Sequence, residues 1–137
     1  MSMTYQQQYV LDGLAGRAAI LNLTARHNRA YSSGDLVAWV TTFRHSGASY
    51  TRAGETFDNL RDAFDGGAGR RLVTVDHEIT VDGVDAEQRC IALLFCDNEL
   101  RATGTFADRL IYERGDWYFT SRELQWDLAP RDSVQPV

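Results

Sequence analysis

Lysine is absent from this 137-residue chain; all 14 basic residues are arginine. Schiff-base chemistry through a lysine amine is therefore excluded. Positive charge is also in deficit, with 19 acidic residues against 14 basic ones and a net charge of −5. A nucleic-acid partner is not expected, because binding a phosphate backbone needs a basic surface that releases its counterions. An anionic membrane surface is excluded on the same ground. Cysteine is scarce: Cys90 and Cys96 are the only two. Their spacing fits no common metal pattern. Placed on one strand they face the same way but lie too far apart to bond, which predicts two free thiols and no metal site. No apolar run approaches the roughly 20 residues of a membrane span. The first ten residues, Met1 to Val10, are polar and glutamine-rich, without the basic start and apolar core of a secretion signal. The expectation is a cytoplasmic protein. Repeats and low-complexity blocks are lacking too. Gly66-Gly67-Ala68-Gly69 lacks the Lys-Ser/Thr pair of a phosphate loop and reads as a simple connection.

What is present is an ordinary globular composition, long enough for one domain with a real core. Arg17 to Tyr31 contains neither Gly nor Pro, and Ile20, Leu23, His27 and Tyr31 form one helical stripe with Thr24 at its edge. Ser33-Gly34 stops that helix. Asp35 caps a short second helix carrying Leu36, Trp39, Val40 and Phe43. A strand is expected near Ala48 to Arg52, then a helix over Phe57 to Phe64 capped by Thr56. The remainder reads as four strands. Leu72 to Val81 alternates, with Val73, Val75, Ile79 and Val81 on one face. Glu87 to Phe95 carries apolar residues on both faces and is predicted to be central and covered on both sides. Leu100 to Tyr112 and Trp117 to Trp126 follow, separated by the Arg114-Gly115-Asp116 turn. The economical packing is α+β: N-terminal helices on a strongly curved, mostly antiparallel sheet that encloses a pocket.

Leu14 to Ile20, Ser33-Gly34-Asp35 with Trp39 and Phe43, Ile79 to Gly83, Gly104 to Asp108 and Gly115 to Arg122 occur in an order that resembles the SnoaL-like branch of the nuclear-transport-factor-2-like (NTF2-like) superfamily. The resemblance covers about Leu14 to Leu128, leaving 1–13 as an extension and 129–137 as a tail. It implies a cone-like fold and a group that includes dehydratases, dehydrochlorinases and polyketide cyclases. Related polyketide cyclases use a strand aspartate, and the dehydratases and dehydrochlorinases use a His–Asp pair as general base. At the matching positions this chain has Leu72 and Ser32. Leucine has no lone pair to offer, and serine cannot hold an imidazolium by charge. The resemblance also maps His27 onto a position that faces the pocket. His77 falls in register with a position that is not catalytic in the family.

The candidate catalytic residues are His27 as base, Asp108 as a second acid or base, Arg122 as the group that stabilises an oxyanion, and Ser32 as an orienting group. Arg122 is placed on a strand face with Tyr118, Leu124 and Trp126, and Asp108 with Phe106, Leu110 and Tyr112. Tyr31, Tyr50, Leu72, Phe106 and Trp126 are the expected pocket lining. The ligand is expected to be small and apolar or aromatic, with no cofactor. Asp76, His77 and Glu78 alternate along a strand and do not converge on an ion. The expected activity is that of a cofactor-independent lyase, isomerase or cyclase. The alternatives are a non-catalytic binding protein and a structural subunit resembling the small subunits of ring-hydroxylating dioxygenases. A homodimer through the outer sheet face would cover the apolar residues there.

Overall fold

A computed structural model describes residues 3–127. Helix α1 runs from Tyr5 to Ser33, beginning well before the expected Arg17. Its start is a reciprocal cap that the glutamine-rich composition concealed. The Thr4 hydroxyl accepts from the Gln7 amide, and the Gln7 side chain accepts from the Thr4 amide. Gly34, at φ 77°, closes the other end with its amide directed at the last carbonyls. Helix α2 (Leu36–Val40) follows under an Asp35 cap.

The next segment corrects one expectation. Phe57 lies not in a helix but in β2 (Glu55–Phe57), which folds back on β1 (Ser49–Arg52). Ala53 and Gly54, both at positive φ, make the turn, and the Thr51 and Thr56 hydroxyls meet across it at 2.9 Å. The hairpin uses the residues assigned to the helix start, so α3 shrinks to Leu60–Ala63 with Asn59 as its cap.

Four long strands complete the chain: β3 (Arg70–Asp82), β4 (Asp85–Cys96), β5 (Glu99–Glu113) and β6 (Asp116–Trp126). The sheet order is β2-β1-β6-β5-β4-β3, antiparallel except where β1 runs parallel to β6. The sheet is curved and does not close, and α1 lies across its inner face. Ile20, Leu23, Ala86, Cys90, Ala92, Leu94, Phe106, Leu110 and Phe119 are buried between helix and sheet. Gly66 fits under the C-terminal end of α1, where an added Cβ would sit 2.2 Å from the Tyr31 carbonyl oxygen. The Gly67 amide donates to that same oxygen. The glycine-rich connection is thus a close-packed joint between α1 and the sheet.

Three register shifts interrupt the ladders, one of them leaving Arg101 of β5 over, and the other two change which of the candidate residues face inward. In β3, Val75 pairs with Ile91 and Glu78 with Arg89, so Asp76 and His77 together oppose Cys90. Asp76 sits at φ 54°. The bulge breaks the alternation: Leu72, Thr74, Ile79 and Val81 pair with inward residues of β4, while Val73 and Val75 lie on the outer face. The single apolar face read from Val73 to Val81 is therefore two faces. In β6, Arg109 pairs with Ser121 and Leu110 with Phe119, leaving Thr120 over. Arg122 consequently shares the inner face with Phe119 and Trp117, not with Tyr118. The outer face of β4 is also not covered as expected: Ile91 is 38% exposed, as is Val75 opposite it. Both cysteines are free. Among the described residues no helix is long and apolar enough to cross a membrane. No cluster of three or more His, Cys, Asp or Glu among them is arranged to hold a metal ion.

Candidate functional site

The inner face carries polar groups in two neighbouring places. The first is His27, 1% exposed on the stripe of α1. Trp39 from α2, Phe43 and Phe119 surround its ring at centroid distances of 5.2, 5.6 and 5.5 Å. One polar partner reaches it: Nδ1 lies 3.0 Å from the Thr42 hydroxyl. That hydroxyl has a single proton and gives it to the Trp39 carbonyl at 2.7 Å. His27 must therefore donate from Nδ1, which leaves the lone pair on Nε2. Burial pushes the imidazole pKa well below its ordinary value, and the Arg122 charge pushes it in the same direction. His27 is neutral at physiological pH.

The second place is built around Asp108 and Arg122, at 3% and 1% exposure. They are opposed across β5 and β6 and form a fork: Nε to Oδ1 at 2.7 Å, and a terminal nitrogen to Oδ2 at 3.1 Å. The guanidinium lies against the Phe106 ring at 3.6 Å and the Phe119 ring at 4.4 Å. Burial raises the Asp108 pKa against the pull of Arg122 and Gln88. Burial would lower that of Arg122, but the Asp108 carboxylate outweighs it and the pKa is raised. These tendencies oppose one another at Asp108. The short two-point geometry decides for the ionised pair, because only a carboxylate accepts both donors. Among the described residues, one guanidinium nitrogen, Nη1, is buried without a partner, and so is the indole nitrogen of Trp39. Tyr50 stands opposite Arg122 in the parallel β1–β6 ladder and packs on Trp39 at 5.4 Å. It thereby links the two places. Burial raises its phenol pKa to about 12. Burial likewise raises the nearby Cys90 thiol to about 12, so it is inert as a nucleophile.

Sequence reasoning missed the chain of hydrogen bonds that continues outward from Asp108. Gln88 Nε2 donates to Asp108 Oδ2 at 2.9 Å and to the Thr24 hydroxyl at 3.0 Å. Gln88 Oε1 is thereby turned toward His77 Nδ1, 2.8 Å away. Since that oxygen only accepts, His77 donates from Nδ1. The β3 bulge is what aims His77 at this chain. A signal was present for Gln88, because alternation puts it on the same face as Cys90, Ala92 and Leu94. For His77 there was none, since a bulge leaves no periodic trace.

The other candidates, apart from Phe106, lie elsewhere. The Ser32 hydroxyl donates to the Asn28 carbonyl at 2.9 Å and accepts from the Leu72 amide at 3.0 Å, tying α1 to β3. Ser32 and Leu72 border an open groove of about 590 Å³ whose lining includes neither His27 nor Arg122. Tyr31 packs edge-on against Phe64, and burial together with the Asp65 carboxylate raises its pKa. Phe106 lies beneath Arg122. Trp126 covers Gly104, where an added Cβ would meet its ring at 2.9 Å. A depression of about 340 Å³ is lined by Gln88, Asp108 and Arg122 with the outward Glu87, Arg89, Arg109 and Glu123. Because the Asp108 and Arg122 side chains are fully buried, it opens on the outer face rather than into the interior.

Residues 12–123 match the SnoaL-like domain. An NTF2-like protein with a cystatin-like fold from Novosphingobium aromaticivorans superposes with a TM-score of 0.80 at 19% identity, covering 98% of this chain and 96% of that one. A scytalone dehydratase-like protein from the same organism gives 0.69 at 15% identity, covering 90% and 94%. LinA gives 0.69 at 19% identity, covering 90% and 96%. At these identities the likeness establishes the fold. No curated protein matches the chain.

Proposed function

The chain belongs to the SnoaL-like domain family, and from that premise we propose a cofactor-independent lyase, isomerase or cyclase acting on a small, apolar, ring-containing molecule by proton transfer. The supporting observation is the pairing of a neutral imidazole with a buried guanidinium nitrogen that lacks an acceptor, joined through one aromatic shell. In this reading His27 Nε2 takes a proton from a carbon next to a carbonyl. Arg122 Nη1 donates to the oxygen as its charge develops. Asp108, with both oxygens engaged, is a positioning residue that holds the guanidinium flat against Phe106. Ser32 positions α1 against β3. Tyr50, Trp39 and Phe119 enclose the ring. His27 is 1% exposed in the form described here, so binding requires the shell of Trp39, Phe43 and Phe119 around it to open.

The test is deuterium uptake from D2O into a panel of cyclic ketones, followed by NMR. The wild-type protein should exchange the carbon adjacent to the carbonyl, and His27→Gln should lose about 10²-fold or more of that rate. An unchanged rate in a folded His27→Gln protein would remove His27 from the mechanism.

A non-catalytic role is the second reading, either as a binding protein or as a structural subunit. It is favoured by one specific feature: Leu72 and Ser32 stand where the family's His–Asp pair is expected, and Ser32 is fully engaged between helix and strand. In either reading we place a second copy against the outer sheet face, over Val75 and Ile91. A dimer mass in light scattering at micromolar concentration is the expected result.

A further inference from the structure

A second concavity lies at the other end of the molecule. The N-terminal half of α1 and the tips of the β3–β4 and β5–β6 hairpins enclose a groove of about 530 Å³. Gly16 and His27 are eleven residues apart on one helix, which is about 16 Å along its axis. Buried Ile20, Ile79, Ala86 and Leu110 fill the intervening space. The groove is thus separate from the site discussed above.

Its walls are aromatic and its charge is of one sign. Trp117, 5% exposed, and Tyr112 meet at 5.5 Å, and Tyr9 faces them from the helix. The helix side is made of small residues, Ala15, Gly16 and Ala19. Gly16 lets the wall approach closely, since an added Cβ would lie 3.2 Å from Val81 and 3.4 Å from the Trp117 ring. Among the described residues the only charged ones lining it are Asp12 and Asp116. Asp12 accepts from the Gln8 amide, and Asp116 from the backbone amide of Trp117. Neither carboxylate is in an ion pair among the described residues, and Asp82, beside the groove, meets only the Tyr9 hydroxyl, at 3.5 Å. The arginines nearest in sequence, Arg17 and Arg114, do not line it.

Aromatic faces attract cations through their quadrupole, and carboxylates add direct charge. The groove has the volume of a small-molecule site, with an apolar body and a few fixed polar groups. We propose that it binds a small organic ammonium ion: the carboxylates of Asp12 and Asp116 neutralise the charge, and Tyr9, Tyr112 and Trp117 pack around the apolar part. A metal cation does not fit this lining, because two carboxylates on separate elements beside three aromatic rings leave most of its coordination unfilled.

The test uses benzyltrimethylammonium as probe and its neutral isostere, neopentylbenzene, as control, with the full chain followed by NMR. Saturable shifts should appear at the indole N–H of Trp117 and at Tyr112, while Trp39 stays unmoved. Asp116→Asn and Asp12→Asn should each weaken binding about fivefold or more, and raised salt should weaken it further. Tyr112→Leu serves as a second variant in case Asp116→Asn disturbs the β5–β6 turn; it too should weaken binding. Three outcomes would overturn the proposal: no saturation at 10 mM probe (on the order of the weakest useful affinity), equal binding of the neutral isostere, or no effect of either Asp substitution in folded protein. Concentration-dependent protection of the groove without probe would assign it instead to an arginine of a second copy, and would equally overturn it.

Discussion

His27 and Asp108 are both almost fully buried on the inner face, yet the fold treats them in opposite ways. At His27 the neighbours are three aromatic rings and one hydroxyl, and the only charge felt is the like charge of Arg122. Nothing in the ligand-free protein compensates an imidazolium there, so the group gives up its proton. At Asp108 burial is as complete, but a guanidinium meets it on two atoms and Gln88 on a third contact. The charge survives there because it is matched. Depth in the protein therefore sets the cost of ionisation, and the partner decides whether that cost is met.

The most severe way to break this contrast is to remove the partner. Asp108→Ala leaves the Arg122 charge buried and unpaired, and the expected loss is about 3–5 kcal/mol of stability in urea unfolding. The double change Asp108→Leu with Arg122→Met should recover most of that loss. If the double variant is no more stable than the single one, the interior here requires charge and not merely volume. Cutting the chain of hydrogen bonds at Gln88→Leu should cost less, about 1–3 kcal/mol, because it leaves His77 and one Asp108 oxygen short of a partner without freeing a charge. The same variant should let the His77 ring sample its other tautomer, visible in ¹⁵N NMR. An unaltered His77 spectrum would mean that Gln88 does not set its orientation.

The His27 side of the contrast is read from pH. Its folded pKa is depressed below the unfolded value of about 6.5. The stability it contributes is complete above that pH. It is lost as pH falls toward the folded pKa, because the unfolded chain takes up a proton that the folded one refuses. The expected slope is up to about 1.4 kcal/mol per pH unit below pH 6.5. Wild type minus His27→Gln isolates it from the carboxylates. Parallel curves for the two proteins would show that His27 is protonated in the fold.

Much of the architecture was legible because it depends on local signals. Ser33-Gly34 and Asp35 mark where α1 ends and α2 begins, Arg114-Gly115 marks a hairpin turn, and the Ile20, Leu23, His27 stripe marks the inner side of the helix. What escaped the reading depends on interruptions of period. The start of α1 was hidden because a Thr-x-x-Gln cap among glutamines does not look like an apolar helix start. The inward turn of His77 and the alignment of Arg122 with Phe119 both follow from single extra residues, Asp76 and Thr120, that no alternation rule announces. His27 and Asp108 could be named from the sequence because polar residues on apolar faces stand out, and Arg122 because the family resemblance puts a pocket arginine at its position. That Asp108 and Arg122 are bonded to each other could not, since it depends on the pairing of β5 with β6 one residue out of regular register.

The bulge at Asp76 also determines how this strand tolerates change in length. Deleting one residue between Val75 and Glu78 would restore the regular ladder and rotate everything upstream of it, putting Val73 and Val75 inside and Leu72 and Thr74 in solvent. The anchorage of β3 on Ser32 would be lost in the same step, because the Leu72 amide would no longer point at α1. Adding a residue in the exposed loop at Gly47, where an added Cβ would meet nothing within 4 Å, would displace nothing in the core. Length variation along this chain is therefore expected to be sharply uneven, forbidden at the Asp76 bulge and free in the loop at Gly47.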